Sequence, residues 1–178
     1  MADTINPQLP TLNIQKTGGF QIVNLEYQLI LRKLITTAKT DIDFCSYVFS
    51  FFFYRKWHPS SKIFAALTAA RIRGVGIRCL LDSSRRNRPN HQANWFAYKR
   101  LSEMNIEVRM PSMPLPQHSK LFLAGPDIAL IGSHNISDSS LRNPFEISIL
   151  FHSANVYRDM RQWYDDVWDH YTTPWLRR

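Results

Sequence analysis

The sequence predicts an α/β domain in which helices flank a mixed β-sheet on both faces. Apolar runs of strand length alternate with amphipathic stretches of helix length along the chain. Two further apolar runs are separated by Ala124-Gly125-Pro126-Asp127, a turn composition, and are therefore expected to form an antiparallel hairpin inside the sheet. The chain has 178 residues, 44% of them hydrophobic, which suffices for one buried core at roughly 150 residues per domain.

The first half of the chain is predicted to contribute two helices and two strands. Asn24 is positioned to cap a helix over 24–38, and the aromatic and β-branched residues of 41–50 indicate a buried strand. A second helix over 59–74 begins at a proline, which is favoured in a first turn, and ends at a glycine. Residues 75–81 form the next strand. The apolar stripe of the first helix is expected to be Leu25, Leu29, Ile30 and Leu34.

The second half is predicted to continue this alternation. A polar, basic loop over 83–90 comes first, and three prolines make 111–116 an irregular loop at the end of the sheet. The remaining elements are a helix at 92–104, a strand at 106–110, the hairpin at 121–123 and 128–131, a strand at 145–151 and a helix at 154–171. This last helix is expected to pack Trp163 and Trp168 against the sheet.

The charge of the chain favours a polyanionic partner. Lys and Arg number 22 against 14 acidic residues, a formal net charge of +8. Eight basic residues and one acid lie within 71–100, so this stretch alone carries +7 (8 − 1). We therefore expect nucleic acid as the partner, with Arg85, Arg86 and Arg88 contacting its phosphates. The alternative is that the basic loop is only a solvated surface.

Cysteine content and hydropathy restrict the setting of the protein. Cys45 and Cys79 are too few for a disulfide framework and have no Cys or His neighbours at metal-ligand spacing, so we expect two buried thiols and no metal site. The most apolar stretch, 44–54, is too short to cross a membrane, and no secretion signal is visible at the start. A cytoplasmic location is therefore predicted. Residues 1–19 are interpreted as a leader before a domain over 20–178.

Polar residues cluster around the hairpin, before its first strand, after its second strand and at the start of the strand that follows. In chain order they are His118, Lys120, Gly132, Ser133, His134, Asn135 and Glu146. Because the strands of a hairpin are antiparallel, the start of the first lies beside the end of the second, and these side chains should form an anion pocket. Gly132 would let the backbone approach a phosphate, and Lys120, Ser133 and Asn135 would supply charge, hydroxyl and amide donors.

His118 is the nucleophile or base that accompanies these phosphate ligands. An imidazole that attacks phosphorus needs its second ring nitrogen held by an acceptor, for which Glu146 is the candidate. His134 lies between Ser133 and Asn135, among the polar residues after the second strand, and could touch the substrate. These residues predict a site for phosphoryl chemistry.

The pattern resembles the H-x-K(x4)D(x6)G-S-x-N signature of the phospholipase D superfamily, including its short bacterial endonuclease branch. Gly132 is the twelfth residue after Lys120, which is the family's own spacing, and segments 38–49 and 65–82 resemble its upstream half. The resemblance implies a phospholipase D-like fold and hydrolysis of phosphodiester bonds in nucleic acid, without metal or cofactor. It also implies that His118 forms a phosphohistidine while Lys120 and its neighbours hold the phosphate.

One position departs from this signature. The family's Asp is the fifth residue after Lys120, where this chain has Gly125, and Asp127 lies two residues later. One interpretation is a catalytically inactive nucleic-acid-binding dimer. Against it, the tyrosyl-DNA phosphodiesterase branch of the family also lacks this Asp. A phospholipase is a third reading, suggested by the aromatic cluster over 49–57, although short single-motif members resemble nucleases more.

The number of histidine motifs leads to a prediction about assembly. The mechanism implied by the resemblance uses two histidines, one as nucleophile and one as general acid, yet only His118 of the six histidines begins a His-x-Lys motif. A two-fold dimer would place the same residue from both chains in one site. A homodimer with one shared active site is therefore expected.

Overall fold

The computed structural model describes residues 20–50, 58–83 and 88–175. The strands are β1 (Phe20–Val23), β2 (Asp41–Ser46), β3 (Gly76–Leu81), β4 (Glu107–Pro111), β5 (Leu121–Ala124), β6 (Ile128–Gly132), β7 (Ser148–His152) and β8 (Thr172–Pro174). The helices are α1 (Tyr27–Thr37), α2 (Pro59–Ile72), α3 (Arg88–Glu103), α4 (Asp138–Leu141) and α5 (Ala154–Tyr171).

The eight strands form one mixed sheet in the order β1-β7-β6-β5-β2-β3-β4-β8. Strands β2, β3 and β4 are parallel neighbours, and the remaining pairings are antiparallel. The crossovers through α2 and α3 place both helices on one face of the sheet, because such connections are right-handed. The predicted hairpin is confirmed as β5 and β6 in the interior of the sheet, with Leu121 opposite Ile131.

Helices cover both faces of the sheet, which confirms the predicted fold class. On one face, apolar residues of α1, α2 and α3 pack with Ile42 and Phe44 of β2 in the larger core cluster. On the other face, Tyr164 and Trp168 of α5 pack on Cys45 and on strands β3, β5 and β6. Successive side chains of a strand point to opposite faces, so Asp41, Asp43 and Cys45 all face α5.

The first helix differs from its prediction. Glu26 precedes the first turn, and the Asn24 amide donates instead to the Pro144 carbonyl oxygen at 3.0 Å. Leu25 and Leu29 are 44% and 58% exposed. The stripe that is buried consists of Tyr27, Leu31, Leu34 and Ile35. The helix carries apolar residues on two overlapping faces, and packing against the sheet buries the face of Tyr27, Leu31, Leu34 and Ile35 instead of the predicted one.

Other element boundaries also differ. Strand β2 ends at Ser46 because the next residues leave the sheet to bond elsewhere, and α3 begins at Arg88, within the predicted loop. Strand β7 begins at Ser148, so Glu146 precedes the strand rather than starting it. Strands β1 and β8 and helix α4 were not predicted from the sequence.

Candidate active site

The polar residues before β5, 118–120, and those at the end of β6 and after it, 132–135, lie side by side at the end of the hairpin opposite its turn. The backbone N–H of Gly132 donates to the Lys120 carbonyl oxygen at 3.2 Å, which holds the two segments side by side. An open cavity of about 460 Å³ lies there, with His118, Lys120 and Ser133 in its lining. Ser119 and Gly132 also line it, together with four apolar residues, namely Leu121, Ile131, Met160 and Trp163. The site is therefore a polar corner beside an apolar wall.

Lys120 lies directly against His118. Its Nζ donates to the His118 carbonyl oxygen at 2.7 Å and is 3.0 Å from the Nδ1 atom of the ring. Partial burial lowers the pKa of Lys120, and the negative charge of Glu146 opposes this shift. His118 itself is exposed to the cavity. A phosphate that contacts one of these side chains is thus within reach of the other.

Asn135 is held by a segment from the other half of the chain. Its Oδ1 accepts the backbone N–H of Val48 at 3.1 Å. Because a backbone N–H can only donate, this contact fixes the oxygen end of the amide and leaves the two Nδ2 hydrogens for a ligand. The backbone N–H of Asn135 in turn donates to Ser140 Oγ at 2.8 Å.

Glu146 is oriented by Ser140. The Ser140 hydroxyl donates to Glu146 Oε1 at 2.9 Å, so one buried hydroxyl connects Glu146 to the backbone of Asn135. In the described part of the chain no hydrogen bond joins Glu146 to His118, whose ring contacts Lys120 and Tyr47. The role of Glu146 in orienting the imidazole stays a prediction for the substrate complex.

The structure does not place His134 in the cavity. Its side chain is only 2% exposed and stacks on Tyr27 with ring centroids 4.2 Å apart. Its Nδ1 lies 2.9 Å from Ser148 Oγ. Burial lowers the pKa of His134, although Glu146 opposes the shift. His134 thus packs inside the domain, and a substrate in the cavity does not reach it.

Gly132 and Ser133 both contact the segment that enters β7. A Cβ at Gly132 would lie 2.2 Å from Ser148 Oγ and 2.3 Å from the Ile147 carbonyl oxygen, so only glycine fits. The close approach that requires this glycine is therefore to β7, rather than to a phosphate as the sequence suggested. Ser133 Oγ accepts the Ile147 N–H at 3.0 Å and is exposed at the cavity.

The structure adds residues that the sequence analysis missed. The Tyr47 ring lies 4.7 Å from the His118 ring, and Lys120 Nζ lies 5.4 Å from its centroid, within the range of a cation–π interaction. The sequence prediction placed Tyr47 inside the strand over 41–50, whereas β2 ends at Ser46, so the sequence carried no signal for this residue. Trp163 was expected in the helix–sheet packing but is 38% exposed and lines the cavity.

The predicted phosphate-binding loop is only partly described. Arg88 is the first residue of α3 and is exposed. Arg85 and Arg86 lie outside the described residues, so their contacts with a polyanion stay a prediction.

Comparison with known families agrees with this geometry. The model of the family described as "Cardiolipin synthase, PLD-like domain" matches residues 31–168. The chain belongs to the phospholipase D superfamily. The predicted family is confirmed, and so is the prediction that the chain is an enzyme domain of this superfamily. The reaction and the substrate stay predictions.

Curated relatives of the phospholipase D superfamily match half of the chain. Cardiolipin synthase A of Pseudomonas putida is 36% identical over 98 residues, which are 52% of this chain and 19% of the relative. Cardiolipin synthase A of Pseudomonas fluorescens is 35% identical over 95 residues, again 19% of its length. The match thus spans about a fifth of the length of these relatives.

Solved structures of the phospholipase D superfamily share the fold. Nuc from Salmonella typhimurium superposes with a TM-score of 0.71 at 20% identity, over 89% of this chain and 98% of that one. NucT from Helicobacter pylori gives 0.69 at 16% identity, over 85% and 96%. At these identities the similarity shows the fold alone. It extends over nearly the whole length of both solved structures.

Proposed function

We propose that this protein hydrolyses phosphodiester bonds of nucleic acid through a covalent phosphohistidine, in a homodimer with one shared site and without a metal ion. The observation that supports this best is the convergence of His118, Lys120 and Ser133 on one cavity. Asn135, at the same end of the hairpin, uses its amide oxygen for the Val48 N–H, and its amide hydrogens have no acceptor among the described residues. The proposal takes 20–178 as the functional domain, with 1–19 as a leader.

The reaction proceeds in two steps at phosphorus. A ring nitrogen of His118 forms a bond to phosphorus while the bond to the leaving oxygen breaks, and the second imidazole gives its proton to that oxygen. Water then attacks the phosphohistidine, gives its proton to the second imidazole and releases His118. Lys120, Ser133 and Asn135 stabilise the charge that develops on the phosphoryl oxygens.

The second imidazole comes from a second copy of the chain. The apolar surface beside the cavity continues from Ile131 to residues that one chain leaves uncovered: Ile147 is 50% and Ile149 36% exposed. A dimer that brings two His118 rings together would cover this surface. Sedimentation of the wild type against Ile147→Asp tests the dimer, with Ile72→Asp, an exposed position on α2, as control.

Nucleic acid is the favoured substrate because of charge. The net charge of +8 and the basic stretch over 71–100 suit a polymer with one phosphate per nucleotide. A cytoplasmic location, as the sequence predicts, would give access to it. Each helix among the described residues is too short or too polar to span a bilayer.

A phospholipid is the second candidate substrate. The apolar wall formed by Met160 and Trp163 beside the phosphate corner favours it, as does the similarity to cardiolipin synthases. A catalytically inactive nucleic-acid-binding dimer is the remaining alternative, motivated by Gly125.

Two assays in parallel separate these possibilities. Single- and double-stranded DNA and RNA are incubated with the protein in excess EDTA, beside vesicles of phosphatidylglycerol and phosphatidylcholine. We expect cleavage of nucleic acid, abolished in His118→Ala, and an acid-labile, base-stable phosphoenzyme that the variant does not form. Release of a lipid headgroup alone would assign the phospholipid role, and a Mg²⁺ requirement would overturn the metal-independent mechanism. Binding without any cleavage would assign the inactive role.

A further inference from the structure

The place of the missing motif acid is already occupied by another carboxylate. A Cβ at Gly125 would lie 2.7 Å from Asp41 Oδ1, and 3.1 Å from both Thr40 Oγ1 and the Tyr157 hydroxyl. Asp41 begins β2, the strand next to β5, where Ile42 pairs with Ala124. The side chain that the signature expects at position 125 would therefore extend into the space of the Asp41 carboxylate.

Asp41 accepts hydrogen bonds that connect the sheet to α5. Its Oδ2 accepts the Tyr157 hydroxyl at 2.8 Å and Arg161 Nη1 at 2.6 Å, both from α5. Its Oδ1 accepts the Thr40 hydroxyl at 2.8 Å. Charge-assisted bonds of this length are stronger than neutral ones, so the carboxylate fixes the helix more firmly than a neutral side chain would.

The protonation states agree with this arrangement. Burial by itself would raise the pKa of Asp41, but the bonds from Thr40, Tyr157 and Arg161 lower it below its ordinary value. Burial and the neighbouring Asp41 raise the pKa of Tyr157 to about 12, so it remains a donor. Asp41 is therefore an ionised acceptor for three donors over the physiological pH range, namely Thr40, Tyr157 and Arg161.

The contacts continue into a network of charges under α5. Arg161 Nη1 lies 2.9 Å from Oδ2 of the buried Asp43, whose other oxygen accepts Arg78 Nε at 2.7 Å. Met160 and Trp163, which form the apolar wall of the cavity, flank Arg161 on the same helix. The position of that wall therefore depends on the pairing of Arg161 with the sheet.

We propose that Asp41 supplies from β2 the carboxylate that the family signature places at position 125, and that it thereby holds α5 and the cavity wall against the sheet. Asp41 is a positioning residue, acting through Arg161 and Tyr157. The absence of a side chain at Gly125 then leaves room for the Asp41 carboxylate and is not a sign of lost activity. The inference goes beyond the proposed reaction, because it concerns the fold around the site.

Exchange of the two positions tests the proposal. Asp41→Gly removes the carboxylate, and Gly125→Asp forces a second one against it, so we expect each to lower the melting temperature by roughly 5 °C or more. In Asp41→Gly/Gly125→Asp the new carboxylate enters the vacated space, and the melting temperature should rise well above that of Asp41→Gly. Asp41→Gly/Gly125→Ala is the matched control, which adds the Cβ without the charge and should restore little.

Kinetics add a readout that stability alone would not change. With bis(p-nitrophenyl) phosphate as probe, we expect Asp41→Asn, a milder change that keeps side-chain size, to raise KM more than it lowers kcat, and the exchange variant to return KM towards wild type. Equal restoration by the Ala and Asp double variants, or additive losses in the exchange variant, would overturn the proposal. Because melting requires no turnover, an inactive wild type would refute the proposed function and leave this inference testable.

Discussion

The backbone N–H of Val48 donates to Asn135 Oδ1 across 87 residues of sequence, at 3.1 Å. This bond decides which end of the amide is available to a substrate, because the oxygen is already used. It also joins the segment after β2, which carries Tyr47, to the segment after β6. The phosphate corner is therefore assembled from both halves of the chain.

Replacing Asn135 by Asp separates these two uses of the amide. The carboxylate can still accept the Val48 N–H, but it offers no donor and repels a phosphate. We expect a melting temperature close to wild type and a loss of turnover on the order of 10²-fold or more. Asn135→Ala, which loses both contacts, should lower stability as well. Thermal melting and phosphodiesterase assays check this, and an active Asn135→Asp would remove the residue from the phosphate site.

Mixed dimers test the shared site. If both His118 rings act in one reaction, a heterodimer of wild type and His118→Ala has no complete site and should show almost no activity. Differently tagged chains are mixed, purified through both tags and assayed, with tagged wild-type pairs as control. Retention of half the specific activity would show that each chain works alone.

Removing the Ser140 hydroxyl should affect stability and catalysis together. In Ser140→Ala the backbone N–H of Asn135 loses its acceptor and Glu146 loses its donor. An unsatisfied buried group costs about 1–3 kcal/mol. Denaturant unfolding and turnover are measured beside Ser139→Ala, an exposed neighbour that should behave as wild type. Unchanged turnover in Ser140→Ala would exclude a positioning role.

Burial of His134 predicts a pH dependence of stability. Because burial lowers its pKa in the folded state, the unfolded chain takes up the proton first as the pH falls. The stability that depends on neutral His134 is complete above the unfolded pKa of about 6.5 and is lost as the pH falls towards the folded value.

The comparison is between wild type and His134→Gln, which does not titrate. Unfolding free energies are measured at about pH 7.5 and about pH 5.5. Wild type should lose more stability over this interval than the variant, since the two proteins differ only at position 134. An equal loss would mean that His134 is not the buried neutral group described above.

The basic loop should determine the salt dependence of nucleic-acid binding. If Arg85, Arg86 and Arg88 each neutralise a phosphate, their replacement by Ala should flatten the slope of log K against log salt by about two to three. Turnover at saturating substrate should change little. Arg158→Ala, exposed on α5, is the control for loss of charge alone. An unchanged slope would place the loop outside the binding surface.

Local sequence was sufficient to predict the hairpin and the residues that it carries. A turn between two apolar runs determines an antiparallel pair, and this pair brings Lys120 and Gly132 together without further information. The alternation of helices and strands likewise predicted the mixed sheet. These features depend on neighbours in the chain, and therefore a single sequence is enough.

Contacts between distant segments decided the rest. The sequence allowed either apolar stripe of α1 to be buried, His134 to face the substrate, and Gly125 to signal a lost acid. Tertiary packing buries Tyr27 against His134. The pairing of β2 with β5 brings the Asp41 carboxylate to position 125. The physical reason is that burial and hydrogen bonding across the sheet depend on strand order and register, which local propensity does not specify.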